Sequence, residues 1–285
     1  MTQSATLQGA APRPRRRAVL VTGAAGTIGS YFAQHAHERY DLRLMVHDDS
    51  DADGLRACGE VVTGDLSDLE GLKRLCEGID TVVHLAANPS PGAVWEDLLE
   101  ANIVGAYNMF VAAKAAGCRR VVYASSIHAV SGYPPDVQVK TSEPVNPGDL
   151  YGVTKCFGEA LGRYMAEQEG LSVIALRIGA FQPLEAARDE GSIGMMDAFV
   201  SQRDLQQLIE RSIDDEQIRF AVFHGLSDNR FKRLDISDAR ALLGYAPQDD
   251  LTEENPRLRE LRLGEQVSAH NLSDDPAKSG LREEL

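Results

Sequence analysis

The chain has 285 residues, a length that suits one large domain, and its share of apolar residues, 43%, is typical of a globular protein. Its formal net charge is −14, and so acidic a surface repels phosphate backbones, which argues against a nucleic acid as partner. No apolar run reaches the roughly 18–20 residues of a membrane-spanning helix, so the sequence also argues against a membrane protein.

The chain begins with a basic segment. Residues 13–17, RPRRR, precede an apolar run at residues 18–22 that is too short for the core of a signal peptide. We therefore expect residues 1–17 to form a mobile N-terminal arm.

Short apolar runs typical of buried strands then alternate with helical stretches. Strands are predicted at residues 18–22, 41–46, 60–65, 81–86, 119–126 and 171–178. Helices are predicted at about residues 28–39, 68–77, 95–117 and 151–168. This alternation predicts an α/β fold, a Rossmann-type doubly wound parallel sheet with helices on both faces.

The alternation is looser after Gly179. The patterns there predict a helix at residues 204–213, a strand at 218–225 and a short helix at 236–244. From about residue 248 the chain is polar and lacks a periodic apolar face, so we expect residues 251–285 to form an acidic, loosely held tail.

The first predicted strand runs into a glycine-rich loop, VTGAAGTIGS. Gly23, Gly26 and Gly29 form a G-x-x-G-x-x-G pattern between that strand and the first predicted helix. Glycines allow a tight turn and a close approach of backbone N–H groups to a pyrophosphate, and a helix N-terminus adds a favourable dipole. The loop, including Thr27 and Ile28, is therefore predicted to bind a dinucleotide.

The glycine spacing resembles that of the short-chain dehydrogenase/reductase superfamily. That resemblance implies an adenine contact after the third strand, small residues after the fourth strand, an asparagine on the next helix and a nicotinamide neighbour after the sixth strand. The residues at these positions are Asp65, Leu66, Leu85, Ala86, Ala87, Asn102 and Ile178.

A predicted catalytic set resembles the extended branch of this superfamily. Tyr151 and Lys155 form a Y-x-x-x-K pair, and Ser126 precedes the tyrosine by 25 residues. A lysine one helical turn away lies on the same face as the tyrosine, and its positive charge, with that of an oxidised nicotinamide, favours the phenolate. Tyr151 is predicted to act as base and Ser126 to hold the reacting oxygen. Asn102 is expected to kink its helix and help carry the proton outward.

Three stretches, YASSIHAV, LYGVTKCFGE and ALRIG, resemble uronate dehydrogenases, and residues 225–250 resemble the end of archaeal NAD-dependent glucose-6-phosphate dehydrogenases. This resemblance implies a member of the NAD-dependent epimerase/dehydratase family. It also implies an NAD(P)-dependent oxidoreductase that converts C1 of a cyclic uronate, aldose or sugar phosphate to a lactone. A homodimer or higher homo-oligomer is implied as well, and the sugar is expected at Pro89, Ser126, Ile127 and His128.

The sequence departs from uronate dehydrogenases at three places. Ile127 replaces their asparagine, Pro89 lies where they have a serine nearby, and no arginine aligns with the one that binds the uronate carboxylate. Arg188 is the nearest upstream candidate. Since a carboxylate without a bidentate arginine loses its best partner, the sequence leaves the identity of the sugar open.

The second predicted strand ends at Val46, where NAD enzymes usually place an acid. His47 could tolerate the 2′-phosphate of NADP, whereas Asp48 can bind a bare ribose. The acids Asp48 and Asp49 would repel an added phosphate, so we expect NAD as cofactor and leave NADP open.

The resemblance assigns residues 18–179 to a dinucleotide-binding Rossmann domain with the catalytic residues, and residues 180–250 to a small substrate-side region. Two alternatives remain, a nucleotide-sugar 4-epimerase with tightly bound NAD and a non-catalytic NAD(P)-sensing protein. The short region after the sixth strand disfavours the epimerase, and the retained tyrosine and lysine disfavour the sensor. The scattered cysteines predict reduced thiols, a cytoplasmic protein and no metal site.

Overall fold

The computed structural model describes residues 16–262, so most of the predicted arm and the end of the predicted tail lie outside the described residues. Two arm residues are described, and both pair with the folded chain. Arg16 lies 2.8 Å from the carboxylate of Asp41, and Arg17 lies 3.4 Å from that of Asp80. The expectation of a mobile arm is therefore wrong for these two residues.

Parallel strands form the centre of the fold. They are β1 (Ala18–Thr22), β2 (Asp41–Val46), β3 (Glu60–Thr63), β4 (Thr81–His84), β5 (Arg120–Ser126), β6 (Ser172–Ile178), β7 (Ala180–Gln182), β8 (Phe199–Ser201) and β9 (Phe220–Gly225). Seven of them form one sheet in the order β3-β2-β1-β4-β5-β6-β9, and β7 pairs with β8. The predicted Rossmann-type sheet is confirmed, with its chain reversal between β1 and β4.

Helices cover both faces of the sheet. They are α1 (Thr27–Ala36), α2 (Leu69–Leu75), α3 (Trp95–Leu98), α4 (Gly105–Ala115), α5 (Leu150–Glu167), α6 (Gln202–Asp214), α7 (Ser237–Leu243), α8 (Leu251–Glu254) and α9 (Pro256–Glu260). Within residues 16–262, every helix is too short or too polar to cross a lipid bilayer.

The alternation of side chains along β1 shows how the two faces are filled. Val19 and Val21 belong to the core that contains Phe32 of α1. Leu20, between them, belongs to the core on the other face, with Phe110 of α4. Because both faces of the strand are buried, its sequence is a continuous apolar run rather than an alternating one.

The helix predicted at residues 95–117 is divided in the structure. α3 and α4 are separated by a π-helical segment, Leu99–Val104, which contains the predicted site residue Asn102. π-Helical turns are rare and occur often at functional sites.

The predicted boundary at residue 179 does not divide the sheet. β9 pairs with β6 along six residues, from Val173 opposite Phe220 to Ile178 opposite Gly225. The buried guanidinium of Arg120 ties this edge together, since it donates to the Ser212 carbonyl at 2.7 Å and to the Ile218 carbonyl at 2.7 Å. Part of the region assigned to the substrate side thus belongs to the central domain.

The expectation of a loose tail from residue 251 is wrong for residues 251–262. Leu251 is fully buried, in a small core with Ala187 and Phe199. Asn255, also fully buried, donates to the Asp189 carbonyl at 2.9 Å, and its side-chain oxygen caps the N-terminus of α9. This segment carries three acidic and three basic residues. Its buried side chains, at positions 251, 252, 255 and 258, follow a helical spacing, but two of the four, Thr252 and Asn255, are polar.

Replacing Leu251 tests this packing. Leu251→Ala is expected to lower the free energy of unfolding by about 2–5 kcal/mol, because it opens a cavity in a filled core. The matched change Leu242→Ala, at a side chain that is 61% exposed, should cost about 0.5 kcal/mol or less. Urea unfolding measures both values, and equal costs would show that residues 251–262 do not contribute to the core.

Candidate functional site

A cleft of about 470 Å³ opens at the carboxyl ends of the strands, where ligands bind in open parallel sheets. It brings together most of the predicted site residues, namely Gly23, Gly26, Thr27, Ile28, Gly29, Leu85, Ala86, Ala87, Pro89, Ser126, Ile127, His128, Tyr151, Lys155 and Ile178. It is also lined by residues that the sequence analysis did not single out, Ala124, Ser125, Gly179, Ala180 and Phe181.

The glycine loop packs backbone against backbone so closely that no side chain fits at two of its positions. Gly23 has a φ of +67°, and a Cβ there would lie 2.9 Å from the backbone nitrogen of Ala86. A Cβ on Gly29 would lie 2.3 Å from the Gly23 carbonyl oxygen. α1 starts after Gly26 with neither a side-chain cap nor an acidic residue in its first turn, so its N-terminus can face an anion. These features fit the pyrophosphate of a dinucleotide.

A buried histidine, His84, helps to fix the opposite wall of the cleft. Its Nδ1 lies 2.8 Å from the hydroxyl oxygen of Thr22, and that oxygen accepts a hydrogen bond from the backbone of Ala86 at 3.2 Å. Burial lowers the pKa of His84 to about 3, so the ring is neutral. Thr22 was missed by the sequence analysis, because only the β1–β4 pairing reveals its role.

Tyr151 lies in the first turn of α5 and is buried. Burial raises the pKa of Tyr151 above that of an ordinary tyrosine, and a hydrogen bond with Ser126 opposes this rise. Desolvation therefore dominates in the free protein, and the phenolate favoured by Lys155 together with an oxidised nicotinamide stays a prediction.

Lys155 follows one turn later and is also buried. Its Nζ donates to the carbonyl oxygen of Ala124 at 2.8 Å and lies 5.4 Å from the centre of the Tyr151 ring. Burial lowers the pKa of Lys155 to about 8. The predicted pair thus shares one face of α5, and its lysine is anchored to the end of β5.

Asn102 is buried and lies outside the cleft lining. Its side-chain oxygen accepts from the backbone of Asn88 at 2.7 Å, and its amide donates to the hydroxyl of Thr154 at 3.1 Å. These bonds tie the loop after β4 to α5, next to Lys155. The structure therefore gives Asn102 a positioning contact and does not place it among the residues that can touch a ligand.

Besides Asn102, three further residues predicted to contact the cofactor lie away from the cleft lining. The carboxylate of Asp48 accepts from the backbone of Ser50 at 2.8 Å, and that of Asp65 accepts from Ser67 at 2.8 Å. Hydrogen bonds from these serines hold the pKa of both carboxyl groups below the ordinary value. Leu66 accepts a bond from Asn108 through its carbonyl. Their roles in cofactor binding stay predictions.

His128 has a partner that the sequence analysis missed. Its Nδ1 lies 2.6 Å from Oδ2 of Asp149, and its ring lies edge-on to that of Tyr151 at 5.5 Å. Asp149 also caps α5, because Oδ1 accepts from the backbone of Gly152 at 2.7 Å. The signal available in the sequence was an acid just before a helix.

A buried ion pair supports the floor of the site. Arg177 donates to both carboxylate oxygens of Glu159, at 2.9 and 2.8 Å, and Ser125 donates to the same carboxylate at 2.6 Å. Glu159 follows Lys155 by one turn on α5. Arg177 thus packs beneath the strand ends.

Arg188, the nearest candidate for binding a carboxylate, does not line the cleft. It is exposed and pairs with Glu254 at 3.1 Å. Within residues 16–262 there is also no cluster of three or more histidine, cysteine, aspartate or glutamate side chains that could hold a metal ion.

A model of the NAD dependent epimerase/dehydratase family matches residues 19–193. Over 82% of its length the chain is 34% identical to an NAD-dependent glucose-6-phosphate dehydrogenase from Haloferax volcanii, covering 94% of that protein. It is also 34% identical to an L-arabinose 1-dehydrogenase (NAD(P)(+)) from the same organism, over 81% of this chain and 96% of that one.

Among solved structures, the fold matches a mutant uronate dehydrogenase from Agrobacterium tumefaciens complexed with NAD. The TM-score is 0.76 at 30% identity, and the match covers 90% of this chain and 92% of that one.

Replacing Lys155 tests the cost of its burial. Because folding lowers its pKa from 10.5 to about 8, the unfolded chain binds this proton more tightly, and the charge destabilises the fold at low pH. The penalty is complete below about pH 8 and vanishes above about 10.5. Lys155→Met should therefore stabilise the protein at pH 7, on the order of 2 kcal/mol, and lose this advantage as the pH rises.

Urea unfolding at neutral and strongly alkaline pH measures this difference. Lys114→Met, at an exposed lysine, is the control and should show no such pH dependence. A gain for Lys155→Met that stays constant with pH would contradict the assigned cause.

Proposed function

Since this chain belongs to the NAD dependent epimerase/dehydratase family, we propose that it oxidises C1 of a neutral cyclic aldose to the lactone. It is an NAD(P)-dependent dehydrogenase acting on CH–OH groups, with NAD as its cofactor. One observation carries the proposal. Ser126, Tyr151 and Lys155 line the same cleft as the glycine loop.

The proposed chemistry uses three side chains of α5 and β5. The oxygen of Tyr151 accepts the proton of the C1 hydroxyl, and the C1–O bond becomes the lactone carbonyl. Ser126 keeps that oxygen in place by a hydrogen bond. NAD, when bound, accepts the hydride from C1 and adds a positive charge near the phenol. Lys155, anchored to the Ala124 carbonyl, supplies a second positive charge on the same side of the ring.

One end of the cleft would bind the dinucleotide and the other end would bind the sugar. The glycine loop and residues 85–87 fit the dinucleotide, since they line the cleft beside the uncapped N-terminus of α1. The sugar would lie among residues from the loops after β4, β5 and β6, which are Pro89, Ser126, Ile127, His128, Tyr151, Ala180 and Phe181.

The composition of the sugar end supports a neutral substrate. No arginine lines the cleft in the described part of the chain, and the lining lysine, Lys155, is held by a carbonyl. A carboxylate or phosphate on the sugar would lose its water without gaining a bidentate partner, which costs free energy. The relatives named above act on a sugar phosphate, a neutral sugar and a uronate, so the cleft itself decides this choice.

A substrate panel tests the proposal. Neutral aldoses, hexuronates and glucose 6-phosphate are each supplied with NAD or NADP, and the absorbance of reduced nicotinamide is followed. We expect kcat/KM for the best neutral aldose to be at least about tenfold higher than for every anionic sugar. A factor of about ten corresponds to the loss of one hydrogen bond to a charged group.

Two results of the panel would contradict different parts of the proposal. Fastest turnover with an anionic sugar would refute the neutral class while leaving the dehydrogenase intact. Tightly bound NAD with no net reduction by any sugar would refute the dehydrogenase and favour a 4-epimerase.

Tyr151→Phe tests the base. Removing the hydroxyl is expected to lower kcat by about 10²–10⁴-fold, because no other group in the proposal takes the C1 proton. Affinity for NADH, measured by fluorescence titration, should stay close to that of the wild type. Tyr164→Phe, at an exposed tyrosine on the same helix, should leave kcat unchanged. Retained turnover in Tyr151→Phe would rule out the mechanism.

A further inference from the structure

We propose that Asp149 is a positioning residue, which holds the His128 ring so that Nε2 accepts a hydrogen bond from the C2 hydroxyl of the sugar. This rests on the proposed oxidation at C1. It assigns a role to a residue that neither the glycine loop nor the tyrosine–lysine pair requires, and it names the substrate group that His128 recognises.

The contact with Asp149 sets the tautomer of His128. Its Nδ1 lies 2.6 Å from Oδ2 of Asp149. A carboxylate has no proton to donate, so the shared proton is carried by Nδ1. In a neutral imidazole the other nitrogen, Nε2, then has a lone pair and acts as an acceptor. His128 lines the cleft.

His128 and Asp149 are both held in place by hydrogen bonds to the backbone or to β5. Oδ1 of Asp149 accepts from the backbone of Gly152 at 2.7 Å, which fixes the carboxylate at the start of α5. The backbone of His128 donates to Ser126 Oγ at 3.2 Å. This bond attaches His128 to the end of β5. One carboxylate therefore couples the orientation of His128 to the helix that bears Tyr151.

The chemistry of a cyclic sugar determines which substrate group can meet Nε2 of His128. In the proposed function, Tyr151 and Ser126 hold the oxygen on C1. The neighbours of C1 in a cyclic sugar are the ring oxygen, which has no proton, and C2, which carries a hydroxyl. Of the groups next to C1, only the C2 hydroxyl can therefore donate a hydrogen bond to the lone pair on Nε2 of His128. His128 follows Ser126 by two residues, and its ring lies 5.5 Å from that of Tyr151.

Asp149→Asn separates this role from helix capping. Asparagine is a good N-cap, so its oxygen can still accept from the backbone of Gly152. Its amide, however, donates toward Nδ1 of His128, so the proton moves to Nε2 and the acceptor in the cleft becomes a donor. Asp68→Asn is the matched control, since Asp68 caps α2 through the backbone of Gly71 at 2.9 Å, away from the cleft.

The kinetic readout is the ratio of kcat/KM for an aldose to that for its 2-deoxy analogue, at a pH well above the ordinary histidine pKa. His128→Phe, which keeps a ring and removes the acceptor, should lower this ratio about tenfold, the worth of one hydrogen bond. Asp149→Asn should lower it by less, because the C2 hydroxyl can still accept from a protonated Nε2, and Asp68→Asn should leave it unchanged. In a His128→Gln background, Asp149→Asn should cause no further loss. An unchanged ratio, or an equal loss for both sugars, would overturn the proposal.

The tautomer has a readout that does not depend on turnover. ¹⁵N spectra of histidine-labelled protein distinguish a protonated Nδ1 from a protonated Nε2, and the His128→Gln variant identifies the signal among the seven histidines. The wild type should show the proton on Nδ1, and Asp149→Asn should move it to Nε2. A wild-type proton on Nε2 would overturn the inference whichever substrate is oxidised, whereas inactivity toward every sugar would refute only the proposed function.

Discussion

The packing of the first turns of α5 against the end of β5 is the contact on which the candidate site depends. Gly152 lies so close to the strand end that a Cβ there would meet the carbonyl oxygen of His128 at 2.3 Å. One turn later Lys155 donates to the carbonyl of Ala124 at 2.8 Å. Since densely packed contacts leave little room for movement, they fix the rotation of α5 and with it the position of Tyr151.

Burial in this contact sets the protonation of both members of the pair. It raises the pKa of Tyr151 and lowers that of Lys155 to about 8, so desolvation holds both groups toward their neutral forms. The free site therefore holds a neutral phenol, and a phenolate forms only when further positive charge enters the cleft. In the proposed reaction, this charge arrives with oxidised NAD. In that reaction, binding of the cofactor and activation of the proposed base would be coupled by the same low-dielectric surroundings.

The parts of the site that the sequence predicts are those with local spacing. The glycine loop is one continuous stretch, and Tyr151 and Lys155 are one helical turn apart, so both can be recognised without knowing the fold. The pairing of His128 with Asp149 spans a loop rich in proline and glycine, for which no periodicity exists. The packing of residues 251–262 was missed for another reason, since its buried positions follow a helical spacing but include the polar residues Thr252 and Asn255, so no apolar stripe marks them. The pKa shifts depend on burial, which only tertiary contacts determine.

The fold and the choice of sugar are set by different segments. The sheet order places the glycine loop after β1 opposite the loop after β4, and these elements fit the dinucleotide. The proposed sugar end is lined by residues that follow β4, β5 and β6, among them Pro89, Ile127 and Phe181. None of these three side chains belongs to a strand of the seven-stranded sheet, so their chemistry can vary without disturbing it. If the proposed function holds, this separation lets the charge in these loops change the sugar that is accepted without changing the fold that binds the dinucleotide.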